Sequence, residues 1–183
     1  MTTAHADLDR SRSGYLELPQ ELRLDSPDVE DGASLWRIAR DSKTLDLNSS
    51  YSYLLWCRDF AGSSVVARDE SGRPVGFVSG YRRPEAPDTL FVWQVAVDES
   101  RRGQGVAGAL LDGLSVREAA KRPLRCVETT ITPDNAASER LFAAYAARHG
   151  ARLTREVLFA PGDFPEVDAH APEVLHRIGP LAF

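Results

Sequence analysis

The stretch Leu90-Phe91-Val92-Trp93-Gln94-Val95-Ala96-Val97, followed after Asp98 to Arg101 by Arg102-Gly103-Gln104-Gly105-Val106-Ala107-Gly108, decides the fold of this chain. Thr89 to Val97 is the most apolar segment of the sequence, which suits a central strand covered on both faces. Beyond the glycines, Val106, Leu110 and Leu114, with Ala107 and Leu111 beside them, recur at the spacing of an amphipathic helix that ends before Pro123. A buried strand therefore hands over to a helix through a glycine-rich turn. At such a junction unpaired backbone N–H groups and the positive end of the helix dipole point at one spot. Glycines let the main chain approach a pyrophosphate without an intervening side chain, and Arg101 and Arg102 add charge for further phosphate oxygens. The turn is expected to hold an anion.

Gly103-Xaa-Gly105-Xaa-Xaa-Gly108 also satisfies the dinucleotide fingerprint literally. Its context opposes a nicotinamide enzyme. Asp98 to Arg102 separate the glycines from the strand, the preceding elements read as an antiparallel hairpin, and only 75 residues follow Gly108, too few to finish a doubly wound sheet. The bland alternative, a helix that merely begins with glycines, spends poor helix formers without a ligand to justify them.

Outward from this junction the elements fall into order. Ser64 to Ala67 and Pro74 to Tyr81 flank a Ser-Gly turn within Asp69 to Arg73 and predict a hairpin. Upstream, Leu35, Ile38 and Ala39 mark a helix over about Asp31 to Arg40, and a second helix starts at Ser49 or Ser50 and carries Tyr53, Leu54 and Cys57 inward. Asp41 to Asn48 is the polar connection between them. Downstream, Leu124 to Thr132 reads as a strand and Asn135 to His149 as a helix closed by Gly150. Leu153 to Phe159 and Val174 to Ile178 read as two closing strands around the Pro-containing loop 161–172. The order demands a mixed sheet. Residues 1–19 lack any period and read as a flexible tail ahead of a single domain over 20–183.

Composition narrows the partners. Lys plus Arg is 22 against 27 for Asp plus Glu, a net charge of −5, which gives no general attraction to nucleic acid or to anionic membrane. Neither is expected as a partner. The two cysteines, Cys57 and Cys126, stand alone in apolar sequence without metal-ligand spacing, and His5, His149 and His176 show none either, so no metal is assigned. Neither a secretory leader nor a membrane-length apolar run is visible, and a cytoplasmic location is expected.

Arg102-Xaa-Xaa-Gly105-Xaa-Ala107, with Val95-Ala96-Val97 before it, resembles the cofactor loop and central strand of the GNAT superfamily of acyl-CoA-dependent N-acetyltransferases. Asn135-Xaa-Xaa-Ser138-Xaa-Xaa-Leu141-Phe142 resembles that superfamily's second motif, on the helix beside the pantetheine arm. Within it, Thr44 to Leu55, Pro87 to Val95 and Arg177 to Leu181 are similar to the family of diaminobutyrate acetyltransferases, which make the acetylated precursor of ectoine. The resemblance implies an α/β (α+β mixed) domain with a central mixed, mostly antiparallel twisted sheet flanked by helices. It implies acetyl-CoA as co-substrate, a small diamine as acceptor, and a homodimer. It also implies that Val95, Ala96, Val97, Arg102, Gly103, Gln104, Gly105, Val106, Ala107, Gly108, Asn135 and Ser138 serve the cofactor.

Acyl transfer from a thioester to an amine needs a deprotonated amine, a donor set for the developing oxyanion, and a route for the leaving thiolate. Many relatives carry a tyrosine acid where this chain has Phe142; Tyr145, one turn on, is the possible substitute, with a packing role as its alternative. Glu128 lies on an otherwise apolar strand, so it must be paired, and it is a candidate base or substrate ligand, with an internal salt bridge as the alternative. Asp46, Leu47, Asn48 and Tyr51 belong to the segment that the resemblance places along the acceptor channel; the alternative for Asp46 is a helix cap. Trp93 offers a ring face to a cationic amine. His170 and Glu173 are candidates to close the acceptor pocket from the C-terminal side.

Overall fold

The computed structural model describes residues 18–165 and 170–183, so most of the tail expected over residues 1–19 lies outside the described residues. Leu18 packs against the main core and Leu22 is buried in it, so the chain joins the domain ahead of Gln20. In chain order the elements are β1 (Arg23–Asp25), α1 (Gly32–Ser42), α2 (Ser50–Asp59), β2 (Ser64–Arg68), β3 (Pro74–Arg83), β4 (Ala86–Val97), α3 (Val106–Lys121), β5 (Cys126–Ile131), α4 (Ala136–Arg148), β6 (Arg152–Phe159) and β7 (Glu173–Gly179). Among the described residues the strands make one seven-stranded sheet in the order β1-β2-β3-β4-β5-β7-β6. Every neighbouring pair is antiparallel except β4 with β5. The mixed, mostly antiparallel sheet is the one the sequence calls for.

Two apolar layers hold it. On one face Leu90, Val92 and Val127 meet Leu110, Leu111 and Leu114 of α3 and Phe142 of α4. On the other, Phe77, Val66 and Ala96 meet Leu35 and Ile38 of α1 and Tyr53 and Cys57 of α2. Asp28 and Asp31 form a reciprocal cap ahead of α1, and Asp31 also receives Arg68 of β2 at 2.7 Å, which fixes the start of α1 to the sheet. Leu54, expected to point inward, is 40% exposed and lies at the seam between α1 and α2, where it packs closely on Gly32. β1 carries no period in its three residues Arg-Leu-Asp and was not expected; it exists because it pairs with β2.

Two irregularities shape the middle of the sheet. β4 and β5 pair only at Thr89 with Cys126, Leu90 with Val127 and Phe91 with Glu128. Beyond Phe91 the two strands part, so the edge of Val92 to Val97 that faces β5 has no strand partner among the described residues. On its other side β4 matches Gln94 to Ser79 but Val92 to Gly80, leaving Trp93 as an extra residue. This bulge shifts the alternation: Leu90 and Val92 face α3 before it, and so do Val95 and Val97 after it, while Gln94 and Ala96 face α1 and α2. A Cβ on Gly80 would come 2.6 Å from the Phe91 carbonyl oxygen, so the tight approach at the bulge requires glycine.

Candidate active site

Where β4 and β5 part, three chain segments meet at the open end. β4 leads to α3 through Asp98 to Gly105, β5 leads to α4, and β7 begins there at Glu173 because it runs antiparallel to β5. The turn before α3 leaves the start of that helix without a side-chain cap. Gly103 and Gly105 hold positive φ of 75° and 78°, and Gly105 is the N-cap of α3 with no side chain capping the helix. A Cβ at either glycine would meet nothing within 4 Å, so the space in front of these backbone amides is open. The first N–H groups of α3, from Val106, Ala107 and Gly108, have no intrahelical acceptor by the geometry of a helix start. An uncapped N-terminus facing open space, with no side-chain oxygen in the role of cap, fits the diphosphate of a nucleotide carrier.

Arg102 is exposed and lies across two carbonyl oxygens, Val97 at 3.3 Å and Asp41 at 3.2 Å, where it ties the end of β4 to the end of α1. Gln104 donates to the Ser100 carbonyl at 3.1 Å and Arg101 pairs with Glu21 at 2.9 Å. Asn135 caps α4 by accepting from the Ser138 N–H at 3.1 Å and donates toward the Thr44 carbonyl at 3.5 Å. It is thus a strut between α4 and the α1–α2 loop, and Ser138 meets it through the main chain. The free edge of Val95 to Val97 leaves backbone groups for the remainder of a thioester carrier.

The α1–α2 loop is fixed over the sheet by a polar residue that the apolar run conceals. Gln94, buried, accepts from the Tyr53 hydroxyl at 3.0 Å and donates to the Asp46 carbonyl oxygen at 2.9 Å. Burial pushes the Tyr53 phenol up from its ordinary value, so it stays a donor. Asp46 therefore presents its carboxylate outward and does not cap α2, whose N-cap is Ser49. His170 approaches the Asp46 carboxylate at 3.0 Å through Nε2 and lies 3.9 Å from Glu173. Its Nδ1 sits 2.6 Å from the Ala171 carbonyl oxygen, and its ring stacks on Phe164 at 4.1 Å. The hydrogen bond to Ala171, and then that to Asp46, raise the His170 pKa above the ordinary imidazole value. One ring nitrogen of His170 and one carboxylate oxygen each of Asp46 and Glu173 lie within 4.8 Å of one another, although His170 is 124 positions beyond Asp46, a grouping that no spacing pattern exposes.

Trp93, 46% exposed, stacks on Trp56 at 6.2 Å. The two rings and Asn48, Phe60 and Tyr81 line a groove of about 460 Å³ beside the loop. Leu47 and Tyr51 turn to the outer surface, 45% and 65% exposed.

The two candidate catalytic groups are buried and bonded within the protein. Tyr145 is fully buried and its hydroxyl donates to Ser115 Oγ at 2.8 Å, which is the packing role between α4 and α3 that stood as its alternative. Glu128 sits at the fork itself, 1% exposed, with Arg83 on one carboxylate oxygen at 3.0 Å and Arg177 on the other. Both oxygens are taken, and the internal salt bridge is what the strand contains. Gln94, Trp56 and Phe164 were missed. Only Gln94 had a legible signal, a single amide in an apolar run.

A strand that parts from its parallel neighbour and runs into an uncapped, glycine-led helix is the frame of an acyl-CoA-dependent transferase, and the chain belongs to the acetyltransferase (GNAT) family, whose model matches residues 32–146. More particular likenesses cover 86–100% of its length. A protein of Streptomyces avermitilis named L-2,4-diaminobutyric acid acetyltransferase is 62% identical over 100% of this chain and 99% of its own. One of Marinococcus halophilus with the same name is 46% identical, covering 86% of this chain and 90% of its own. The solved diaminobutyrate acetyltransferase of Paenibacillus lautus, in complex with L-2,4-diaminobutyric acid and coenzyme A, is 42% identical and superposes with a TM-score of 0.83 over 89% of this chain and 97% of its own. No helix among the described residues is long and apolar enough to cross a membrane.

Proposed function

We propose that this chain transfers the acetyl group of acetyl-CoA to the 4-amino group of L-2,4-diaminobutyrate, giving N4-acetyl-L-2,4-diaminobutyrate for the synthesis of ectoine under osmotic stress. The observation that carries this reading is the likeness, over 89% of this chain, to the Paenibacillus lautus enzyme solved with that diamine and coenzyme A. The chain's own geometry supports it. When bound, acetyl-CoA supplies the activated acetyl group and a thiolate leaving group. The backbone amides from Gly103 to Gly108 hold its anionic end, with Arg102 beside them, and the free edge of Val95 to Val97 offers main-chain donors near the acyl end.

The acceptor carries two ammonium groups and one carboxylate at neutral pH, and its ammonium groups require anionic partners. Asp46 and Glu173 supply them. His170 stands between these two carboxylates, which are free to pair with an ammonium group of the diamine, and Trp93 presents a ring face to the same cation. Asp46 and Glu173 are also the carboxylates able to receive the proton that the amine must lose, directly or through water. Transfer is direct. Cys57 and Cys126, the nucleophiles a covalent route would use, are buried; burial pushes the Cys57 thiol up to about 12 and raises that of Cys126.

The enzyme acts as a cytoplasmic homodimer in this reading. Leu47, Tyr51, Leu54 and Phe60 on one flank, and Val157, Leu158 and Phe159 of the edge strand β6, are all at least 40% exposed in the single chain, and a second copy would cover them. The decisive experiment supplies acetyl-CoA with L-2,4-diaminobutyrate and a panel of other amines, follows thiol release, and locates the acetyl group by NMR. Preferential turnover of diaminobutyrate at N4 is expected; equal turnover of unrelated amines, or none at all, rejects the assignment.

A further inference from the structure

The sheet carries a second concavity at the end remote from the glycine turn. α1 and α2 cover one face of the sheet over β3 and β4, but the same face of β5, β7 and β6 has no helix on it among the described residues. Strand register lays two rows across this bare face. Arg152 of β6 pairs with Gly179 of β7, which lies beside Cys126 of β5; one step along, Thr154 pairs with Arg177, which pairs with Glu128. Gly179 is the vacancy in the first row. A Cβ there would lie 2.9 Å from the Arg125 carbonyl oxygen and 3.6 Å from Cys126 Sγ, so the backbone crossing that builds the floor demands glycine.

The result is a hollow of about 360 Å³ rimmed by Arg125, Arg152 and Arg177, with Thr154 and Asp88 at its side. Its walls are held by main-chain bonds: Arg125 donates to the Asp88 carbonyl at 2.9 Å, and its own carbonyl accepts from Leu181 at 2.8 Å. The charge is unbalanced. Arg177 is paired with Glu128, which also binds Arg83, whereas Arg125 and Arg152 form no ion pair among the described residues. In a chain with a net charge of −5, this concentrates positive charge in one concave, sheet-floored spot.

We infer that the hollow over Gly179 is an anion subsite, separate from the cofactor turn, in which Arg125, Arg152 and Arg177 bind a small oxyanion carrying two charges, of the phosphate or sulfate type. Guanidinium groups suit such ligands because each can donate two parallel hydrogen bonds to neighbouring oxygens, and the Thr154 hydroxyl adds a neutral donor. Arg177 is the member with a second allegiance. It shares Glu128 with Arg83 at the residue where β4 and β5 stop pairing, so an oxyanion in the hollow draws on the same guanidinium that braces the fork. The inference does not depend on which amine is acetylated.

The test is thermal unfolding of the protein saturated with coenzyme A, which keeps the glycine turn filled, titrated with inorganic phosphate against sodium chloride at matched ionic strength. Phosphate is expected to raise Tm beyond the chloride control, with sulfate equivalent and the longer succinate weaker. R125A/R152A is expected to need at least tenfold more phosphate for the same rise, while its unfolding in chloride and its coenzyme A affinity stay those of the parent. R152A alone, on an exposed edge strand, provides the same readout if the double variant folds poorly. A phosphate effect no larger than that of chloride, or one retained undiminished in R152A and R125A/R152A, overturns the subsite.

Discussion

Replacing Gly105 by alanine separates backbone strain from ligand exclusion, because the structure supplies its own control. Gly105 has φ of 78° and caps α3 at the turn, and Gly150 has φ of 59° at the far end of α4. A Cβ at either position meets nothing within 4 Å, so neither substitution creates a clash in the free protein. Each costs only the left-handed conformation of a non-glycine residue, about 1–2 kcal/mol. For a chain of this size that lowers Tm by about 2–8 °C. The two variants should then diverge in binding. At Gly105 the methyl group enters the space in front of the α3 amides and displaces a charged hydrogen bond worth about 1.5–3 kcal/mol, a loss of about 10- to 150-fold in coenzyme A affinity. At Gly150 no ligand is near and affinity should be unchanged. Calorimetric titration of coenzyme A, with melting curves on the same samples, reads both quantities. If Gly105→Ala binds as the parent does, or if Gly150→Ala loses affinity to the same degree, the amides of the turn do not grip the carrier.

The acceptor side and the buried polar groups give further expectations. Asp46→Asn should raise KM for diaminobutyrate about tenfold, near 1.4 kcal/mol, with KM for acetyl-CoA within about twofold; a parallel rise in both rejects a role in holding the amine. The raised pKa of His170 makes its ion pairs with Asp46 and Glu173 a stabilising contribution that is fully present below the ordinary imidazole value of about 6.5 and is lost as pH rises through the higher folded value. His170→Gln should therefore lose stability below that point and match the parent well above it, and KM for the diamine should vary less with pH than in the parent; a pH-independent difference in stability contradicts the pairing. Tyr145→Phe removes the hydrogen bond to Ser115 and should cost about 0.5–1.5 kcal/mol of stability while leaving kcat within about twofold. A loss of kcat of a hundredfold would restore Tyr145 as an acid.

The sequence by itself determined what local chemistry dictates. The apolar run of β4, the glycines before α3 and the helical spacing of Val106, Leu110 and Leu114 are contiguous, and each carries its own conformational preference, so strand, turn and helix are legible without partners. Asn135 and Gly150 announced the ends of α4 in the same way. Tertiary structure decided everything that needs two distant segments. The bulge at Trp93 is hidden because apolar residues on both sides mask the shift of phase, and the parting of β4 from β5 is a property of pairing that neither strand encodes alone. For Tyr145 and Glu128 the catalytic and structural readings both stood, because a sequence reports a titratable group but not what faces it; Ser115 in one case and two arginines in the other come from elsewhere in the chain. The Asp46–His170–Glu173 group exists only because Gln94, Tyr53 and Asn135 pin one loop over the sheet while β7 begins at the open end of the fork. Burial and hydrogen bonding between remote residues set those positions, and no local spacing records them.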